Sequence, residues 1–181
     1  TLGFRSRSAF KLIELNKKYK FIKANSKLLD IGAYPGGWTQ VASKIITNGK
    51  ILSLDMKKMD EVKNVTFLQC DFLEEHTKEK IFHFFKDKLD VVISDMAANT
   101  TGNKSLDCIR TNHLCAEVVE FSSKILKPNG VLVSKLFMGD DFLEVKELAK
   151  SRFKKVEFFK PEASRNESKE TYLHCVTLRT L

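Results

Sequence analysis

The sequence predicts an α/β protein built on one doubly wound, mostly parallel sheet of seven strands, with helices on both faces. Three observations carry this reading. Short apolar runs at 28–31, 50–55, 65–70, 89–94 and 130–137 are separated by longer stretches, most of them of helical periodicity. Three of these runs lead straight into an aspartate, at Asp55, Asp71 and Asp95. The last two runs, 155–159 and 172–178, are joined by KPEASRNESKE, which is too short for a crossover helix, so they form an antiparallel hairpin and reverse one edge of the sheet.

Taken in order, Ser6 or Ser8 can cap a helix running to about Tyr19, with Phe10, Leu12, Ile13 and Leu15 as its apolar positions. Lys11 falls on its polar side beside Glu14 and Lys18, where a solvated lysine is the ordinary reading. The stretch 28–40, LLDIGAYPGGWTQ, reads as strand, glycine turn, helix. Its apolar run ends in Asp30 and Ile31, its turn carries Gly32, Pro35, Gly36 and Gly37, and Trp38, Val41, Ala42 and Ile45 follow at helical spacing. Glycine lets the backbone come close to a nucleotide-like ligand, and the new helix offers unpaired N–H groups. The fingerprint GxGxxG would need glycine where Tyr34 stands, so a pyrophosphate cradle, and with it a dehydrogenase, is disfavoured; a nucleoside without a diphosphate fits better. An ordinary strand-to-helix turn would carry the same residues.

Asp55 ends the run KILSLD, 23 residues beyond Gly32, near the spacing at which an acid meets ribose hydroxyls, although strand-ending aspartates are also common turn residues. After VTFLQC, Asp71 and Phe72 put a carboxylate and an aromatic in tandem, which suits an adenine: the acid within reach of its exocyclic amine, apolar groups against its ring. An amphipathic helix is expected within 73–88. The run LDVVIS is apolar enough to be central and ends in Asp95-Met96-Ala97-Ala98-Asn99. From 99 to 105 there is no apolar period, so a loop and mobile lid beside the ligand is expected. A helix over 106–126 is stopped by KPNG, GVLVSKLF follows as a strand, and 140–153 is a helix. Lys135 lies among Val131, Leu132, Val133, Leu136 and Phe137, where a charge is costly unless paired or functional; an edge-strand lysine facing solvent is the alternative. Ligands of open α/β sheets lie outside the carboxyl ends of the strands, where Gly32, Asp55, Asp71 and Asp95 all fall.

At 181 residues, 43% hydrophobic and 30% charged, the chain is expected to form one domain over 1–181, basic N-terminal segment included. No apolar run approaches the roughly 20 residues of a bilayer-spanning helix. Cys70, Cys108, Cys115 and Cys175 contain no CxxC pair, and with four histidines they give no zinc spacing; no metal is expected, and the cysteines read as reduced thiols of an intracellular protein. A cytoplasmic location is expected, an organelle being also compatible with a chain beginning at Thr1. Of the net charge of +8, most sits in residues 1–27, where Arg5, Arg7, Lys11, Lys17, Lys18, Lys20, Lys23 and Lys27 face Glu14 alone. Such a patch attracts a polyanion, most commonly nucleic acid; a solvated lysine-rich helix is the bland alternative.

With these residues assembled, the chain resembles the RrmJ/FtsJ family of S-adenosylmethionine-dependent RNA 2′-O-ribose methyltransferases. The resemblance runs through RSRSAFKL, DIGAYPGGWTQ, SDMAAN, VSKLF and KPEASRNESKETY, and so covers nearly the whole chain. It implies a Rossmann-like fold and a catalytic tetrad of Lys11, Asp95, Lys135 and Glu170. It also implies cofactor contacts from Gly32, Pro35, Gly36, Gly37, Trp38, Asp55, Asp71 and Asp95, to which Phe72 is added by its tandem with Asp71. The sequence departs from the family at Tyr34, where a small residue is usual, and at Ala98, where proline is usual; the first bears on the cofactor pocket, the second on the loop after Asp95. Methyl transfer from a sulfonium needs alignment of nucleophile and methyl group plus removal of the hydroxyl proton. Lys135 is the expected base, with Lys11 and Glu170 positioning the ribose and Arg5 and Arg7 holding phosphates. The expected partner is RNA, most of all a uridine of large-subunit ribosomal RNA, with a monomeric protein and no membrane. A tRNA ribose, an mRNA cap, and a non-catalytic RNA-binding module of the same fold are the alternatives.

Overall fold

Apolar strand runs alternate with helical runs along most of the computed structural model, which describes residues 3–180; the second and third strands, and the last two, follow one another without a helix between them. The elements are α1 (Ala9–Tyr19), β1 (Lys27–Ile31), α2 (Gly37–Ile45), β2 (Lys50–Asp55), β3 (Val65–Gln69), α3 (Glu75–Phe85), β4 (Leu89–Ser94), α4 (Lys104–Ile125), β5 (Leu126–Phe137), α5 (Phe142–Arg152), β6 (Phe153–Phe159) and β7 (Glu170–Leu178). They form one seven-stranded sheet of order β3-β2-β1-β4-β5-β7-β6. All pairs from β3 to β5 are parallel, and β7 runs antiparallel to both of its neighbours.

The reversed strand is therefore not at the edge, as the sequence suggested, but second from it. The chain crosses from β5 through α5 to β6 and leaves one strand position open between them; β7 returns through 160–169 and takes its ladder from both sides. This register sets Lys135 opposite Tyr172 and Phe137 opposite Glu170.

Two boundaries also differ. The KPNG stop lies inside β5 as an irregularity, with Leu89 opposite Leu126 but Val91 opposite Val131, because Pro128 has no N–H to give to a ladder. Helix α4 starts at Lys104, within the expected loop, since the Asn103 side chain accepts a hydrogen bond from Leu106 N at 3.2 Å and caps it.

Strand alternation splits the core in two. Leu28, Ile51, Val91, Ile93, Val133 and Tyr172 pack under α1 and α2. Leu29, Ile31, Leu52, Leu54, Val92, Leu132 and Leu136 pack on the opposite face with α3, α4 and α5. Lys135, two residues beyond Val133, consequently projects on the α1 side, at the carboxyl end of β5.

Candidate active site

The side chains of Lys11, Glu170, Lys135 and Asp95 form one chain of ion pairs across α1, β7, β5 and the end of β4. Lys11 Nζ lies 2.5 Å from Glu170 Oε1, Lys135 Nζ lies 3.7 Å from Glu170 Oε2, and Lys135 Nζ lies 3.2 Å from Asp95 Oδ1. Their side chains are only 10–17% exposed, so water screens these pairs weakly. Two ammonium groups against two carboxylates make the cluster neutral as a whole, which is how four charges coexist at this depth. Burial pushes the Glu170 carboxyl up, but the hydrogen bond from Lys11, the charge of Lys135 and a hydrogen bond from Ser164 (2.8 Å) outweigh it and hold the group below the usual range. The neighbouring Lys135 is thus fixed between two carboxylates rather than pointing to solvent, and the edge-strand alternative falls.

Three contributors were not legible as site residues in the sequence. Tyr172 donates its hydroxyl to Asp95 Oδ1 at 2.6 Å; burial and the charges of Asp95 and Glu170 push its titration far up, so it stays a donor. Ser8 stands at the N-cap position of α1, as expected, but its side chain makes no cap bond; its hydroxyl donates to Asp95 Oδ2 instead. Ser164 orients Glu170. The signal for Tyr172 and Ser164 was their place in the ESKETY and KPEAS stretches, but only the register of β7 and the turn before it bring them to the cluster.

Beside this cluster a cleft of about 530 Å³ opens outside the carboxyl ends of β1 to β4, lined by Gly32, Asp55, Asp71, Phe72, Asp95 and Met96 among others. Both strand-end acids are oriented by backbone donors. Asp55 accepts from Tyr34 N at 3.0 Å and from Lys57 N at 2.8 Å; Asp71 accepts from Leu73 N at 3.0 Å. Each keeps acceptor capacity for a ligand. Phe72 is buried against Phe121 and forms part of the floor. Tyr34, half exposed, lines the mouth and does not fill the cleft, so this departure from the resemblance is accommodated at the rim. In the segment after Ala98, Thr101 donates both its N–H and its hydroxyl to Asp107, which ties the expected lid to α4.

A smaller cavity of about 100 Å³, between Asp30 and Asp95, is lined by Ser6, Ser8, Gly32, Pro35, Gly37 and Trp38 among others. Asp30 is fully buried and accepts from Thr39 Oγ1 at 2.7 Å. Its carboxyl is pushed up to about 7, first by burial and then by the charges of Asp95 and Asp55, against the Thr39 hydrogen bond. Sequence reading took Asp30 only as a strand residue.

The glycine turn differs in part from expectation. Gly32, with φ of 74°, does border both cavities, and a Cβ there would press on Met96. Gly36 lines neither the larger cleft nor the small cavity: its φ of 119° and the Arg5 guanidinium above it leave no room for a side chain, so this glycine makes space for the protein's own N-terminal arm. Arg5 is likewise corrected. Its guanidinium donates to the carbonyls of Pro35, Asp60 and Glu61 at 3.3, 2.7 and 2.6 Å, so it clamps the arm onto the glycine turn and is not a free phosphate ligand. Arg7 is exposed. Trp38 is buried, donates Nε1–H to Ser8 O at 2.8 Å and packs on Tyr172; it borders the small cavity, not the large cleft. Among the described residues no cluster of metal-ligating side chains occurs, and no helix is long and apolar enough to cross a membrane.

This sheet, with its ligand cleft at the carboxyl ends of β1 to β4 and one reversed strand inserted beside β6, defines the class of Rossmann-like methyltransferases. Human methyltransferase-like protein 13 in complex with SAH shares the fold at 15% identity, with a TM-score of 0.69 over 95% of this chain and 82% of that one. The model of the FtsJ-like methyltransferase family matches residues 4–178, and the chain belongs to that family. Curated relatives named ribosomal RNA large subunit methyltransferase E, from Pelagibacter ubique and Rickettsia akari, are 45% and 48% identical over 177 residues. Those matches span 98% and 94% of this chain and 87% and 78% of the relatives. A Plasmodium falciparum structure described as a ribosomal RNA methyltransferase superposes with a TM-score of 0.86 at 33% identity, covering 97% of this chain and 98% of that one.

Proposed function

We propose that the protein transfers the methyl group of S-adenosylmethionine to a ribose 2′-hydroxyl of large-subunit ribosomal RNA, a uridine being the expected target. The observation that carries this is Asp95, which lines the cofactor cleft with one side and closes the Lys11–Glu170–Lys135 chain with the other. Nothing but a short step then separates a group bound in the cleft from an amine able to take a proton. The residues present fit the cofactor: Asp55 for a ribose diol, Asp71 and Phe72 for an adenine, and the Asp30–Asp95 cavity for a cationic amino-acid tail. When bound, it supplies a methyl group on a sulfonium.

The remaining work falls to the chain itself. Lys135, once it has released its ammonium proton to solvent, would accept the 2′-hydroxyl proton, leaving the ribose oxygen able to take the methyl group that the bound cofactor would supply. Asp95, held by Tyr172 and Ser8, fixes the direction of that amine. Glu170 holds Lys11 on one carboxylate oxygen and Lys135 near the other, and Lys11 offers a positive charge to the ribose or its phosphate. The protein is proposed to act as a monomer in the cytoplasm.

Incubation with radiolabelled cofactor and total RNA, followed by mapping of the label, tests the substrate. Label on a 2′-oxygen of large-subunit rRNA is expected; label on tRNA or a cap only would move the assignment, and none at all would leave a binding module. Lys135→Ala should lower single-turnover transfer by roughly 10² to 10⁴ with cofactor and RNA affinity within a few-fold. Lys135→Arg should not restore it, since a guanidinium keeps the charge but gives up no proton at working pH. Near-native transfer by the arginine variant would reduce Lys135 to a positioning group. Asp71→Ala should weaken cofactor binding by about 1 to 3 kcal/mol in calorimetry.

A further inference from the structure

The basic N-terminal stretch is only half used by the site just described. Arg5 is spent on backbone carbonyls and Lys11 on Glu170, whereas Lys17, Lys18, Lys20 and Lys23 lie at or beyond the carboxyl-terminal turn of α1, roughly 12 Å along the helix from Lys11. None of these four makes an ion pair among the described residues. Lys18, Lys20 and Lys23 rim a cleft of about 500 Å³ at the opposite, amino-terminal end of the sheet. Its placement is fixed by the residues that close it: Ser26 just before β1, Asp90 at the start of β4, and Val176 near the end of the reversed strand β7.

Lys155 also lies on the rim, where it is the partner of Glu157 and adds no free charge. Two carboxylates are present as well, but both are occupied: Asp90 pairs with Lys127 at 2.9 Å and Glu157 with Lys155 at 3.4 Å. The free charge at the mouth is therefore positive. At the floor His174, 5% exposed, stacks on Tyr19 with ring centroids 3.7 Å apart, and its Nδ1 has no hydrogen-bond partner. Glu157 Oε1 stands 3.7 Å away, too far for a hydrogen bond. A polar group left unmatched under a cationic rim, in a cleft of nucleotide size, is a poor arrangement for a surface with nothing to bind.

We infer that this cleft is a second contact for the RNA backbone, so that the substrate strand runs along α1 from the catalytic lysines at one end of the sheet to Lys18, Lys20 and Lys23 at the other. The inference rests on the reading of the protein as an RNA methyltransferase. It adds that the enzyme recognises RNA well beyond the target nucleotide, through phosphates and without base readout, as lysines on a flexible stem do. Long RNA gains affinity from both ends of α1; a short strand reaches only the catalytic end.

The test is the triple variant Lys18→Gln, Lys20→Asn, Lys23→Gln, asparagine being chosen because Lys20 holds a left-handed backbone with φ of 49°. A control variant removes three exposed lysines from the other face, Lys80, Lys86 and Lys150, and changes the net charge equally. Binding to a long structured rRNA fragment and to a short strand carrying only the target is measured against salt. The first variant should lose about tenfold in affinity for the long RNA at low salt, its slope of log K on log salt shrinking by about 2, with no change for the short strand. The KM for long RNA should rise while kcat stays native, and the control should do none of this. Equal losses in both variants would mean long-range charge only, and an unchanged salt slope would mean no contact; either overturns the second site. Because the short strand still reports methyl transfer, a failure of this inference is distinguishable from a failure of the functional reading.

Discussion

Asp30 and His174 are the two buried titratable residues whose environments make opposite demands on folding. The Asp30 carboxyl is pushed from an ordinary value near 3.8 up to about 7, so between those limits the native state holds a proton that the unfolded chain has released. Stability from this group falls as pH rises from about 4 to about 7 and is flat beyond. His174 is pushed from 6.5 down to about 4, chiefly by burial, so the native state stays neutral where the unfolded chain is protonated, and its contribution is lost as pH falls through that window. The two oppose each other, and the native curve alone will not separate them. Asp30→Asn keeps an acceptor for Thr39 and should raise stability relative to the native protein by up to a few kcal/mol at pH 8, a gain that shrinks toward zero near pH 4. Denaturant unfolding at intervals from pH 4 to 8 checks it; a gain independent of pH would mean that Asp30 is ionised throughout. At this scale the sequence flagged Lys135 correctly, because a lysine in an apolar strand must have a partner. It gave no sign that Ser8 meets Asp95, since a hydroxyl is compatible with almost any surface or cap.

The element that joins sequence to site is the N-terminal arm with α1. Its arginine, serine and lysine stand at every third position, yet they do three different things: Ser8 holds Asp95, Arg5 holds the backbone of the glycine turn and of the 60–61 segment, and Lys11 holds Glu170. Arg5→Ala should therefore lower stability by about 1 to 2 kcal/mol and weaken cofactor binding through the loosened turn. Arg7→Ala should leave both alone and weaken RNA binding only. Thermal unfolding and calorimetry with the cofactor distinguish them, and an Arg5→Ala protein with native stability would return Arg5 to the phosphate role that composition suggests. Helix α4 makes the same point about boundaries. Its first turn lies in a stretch without apolar period, and what extends the helix there is the Asn103 cap and the Thr101–Asp107 contacts, which are local but polar.

For the molecule as a whole, β7 is what completes both sheet and site. Inserted between β5 and β6, it buries Tyr172, Leu173 and Cys175 completely and carries Glu170 into the lysine cluster. A chain ended before Glu170 should lose cooperative unfolding altogether, since β5 and β6 would each be left with an unpaired inner edge over apolar surface. Circular dichroism through a thermal ramp tests this, and a sharp transition close to that of the full chain would refute it. By itself the sequence determined the alternation of strands and helices, the two-faced core, the strand-end acids and the glycine turn, because period, breakers and charge are local properties of the chain. Only the tertiary structure decided where the reversed strand sits, that Gly36 and Arg5 serve each other, and which hydroxyls orient Asp95. Those facts depend on residues far apart in the chain, 87 positions for Ser8 and Asp95 and 159 for Lys11 and Glu170, and no local pattern encodes a contact of that range.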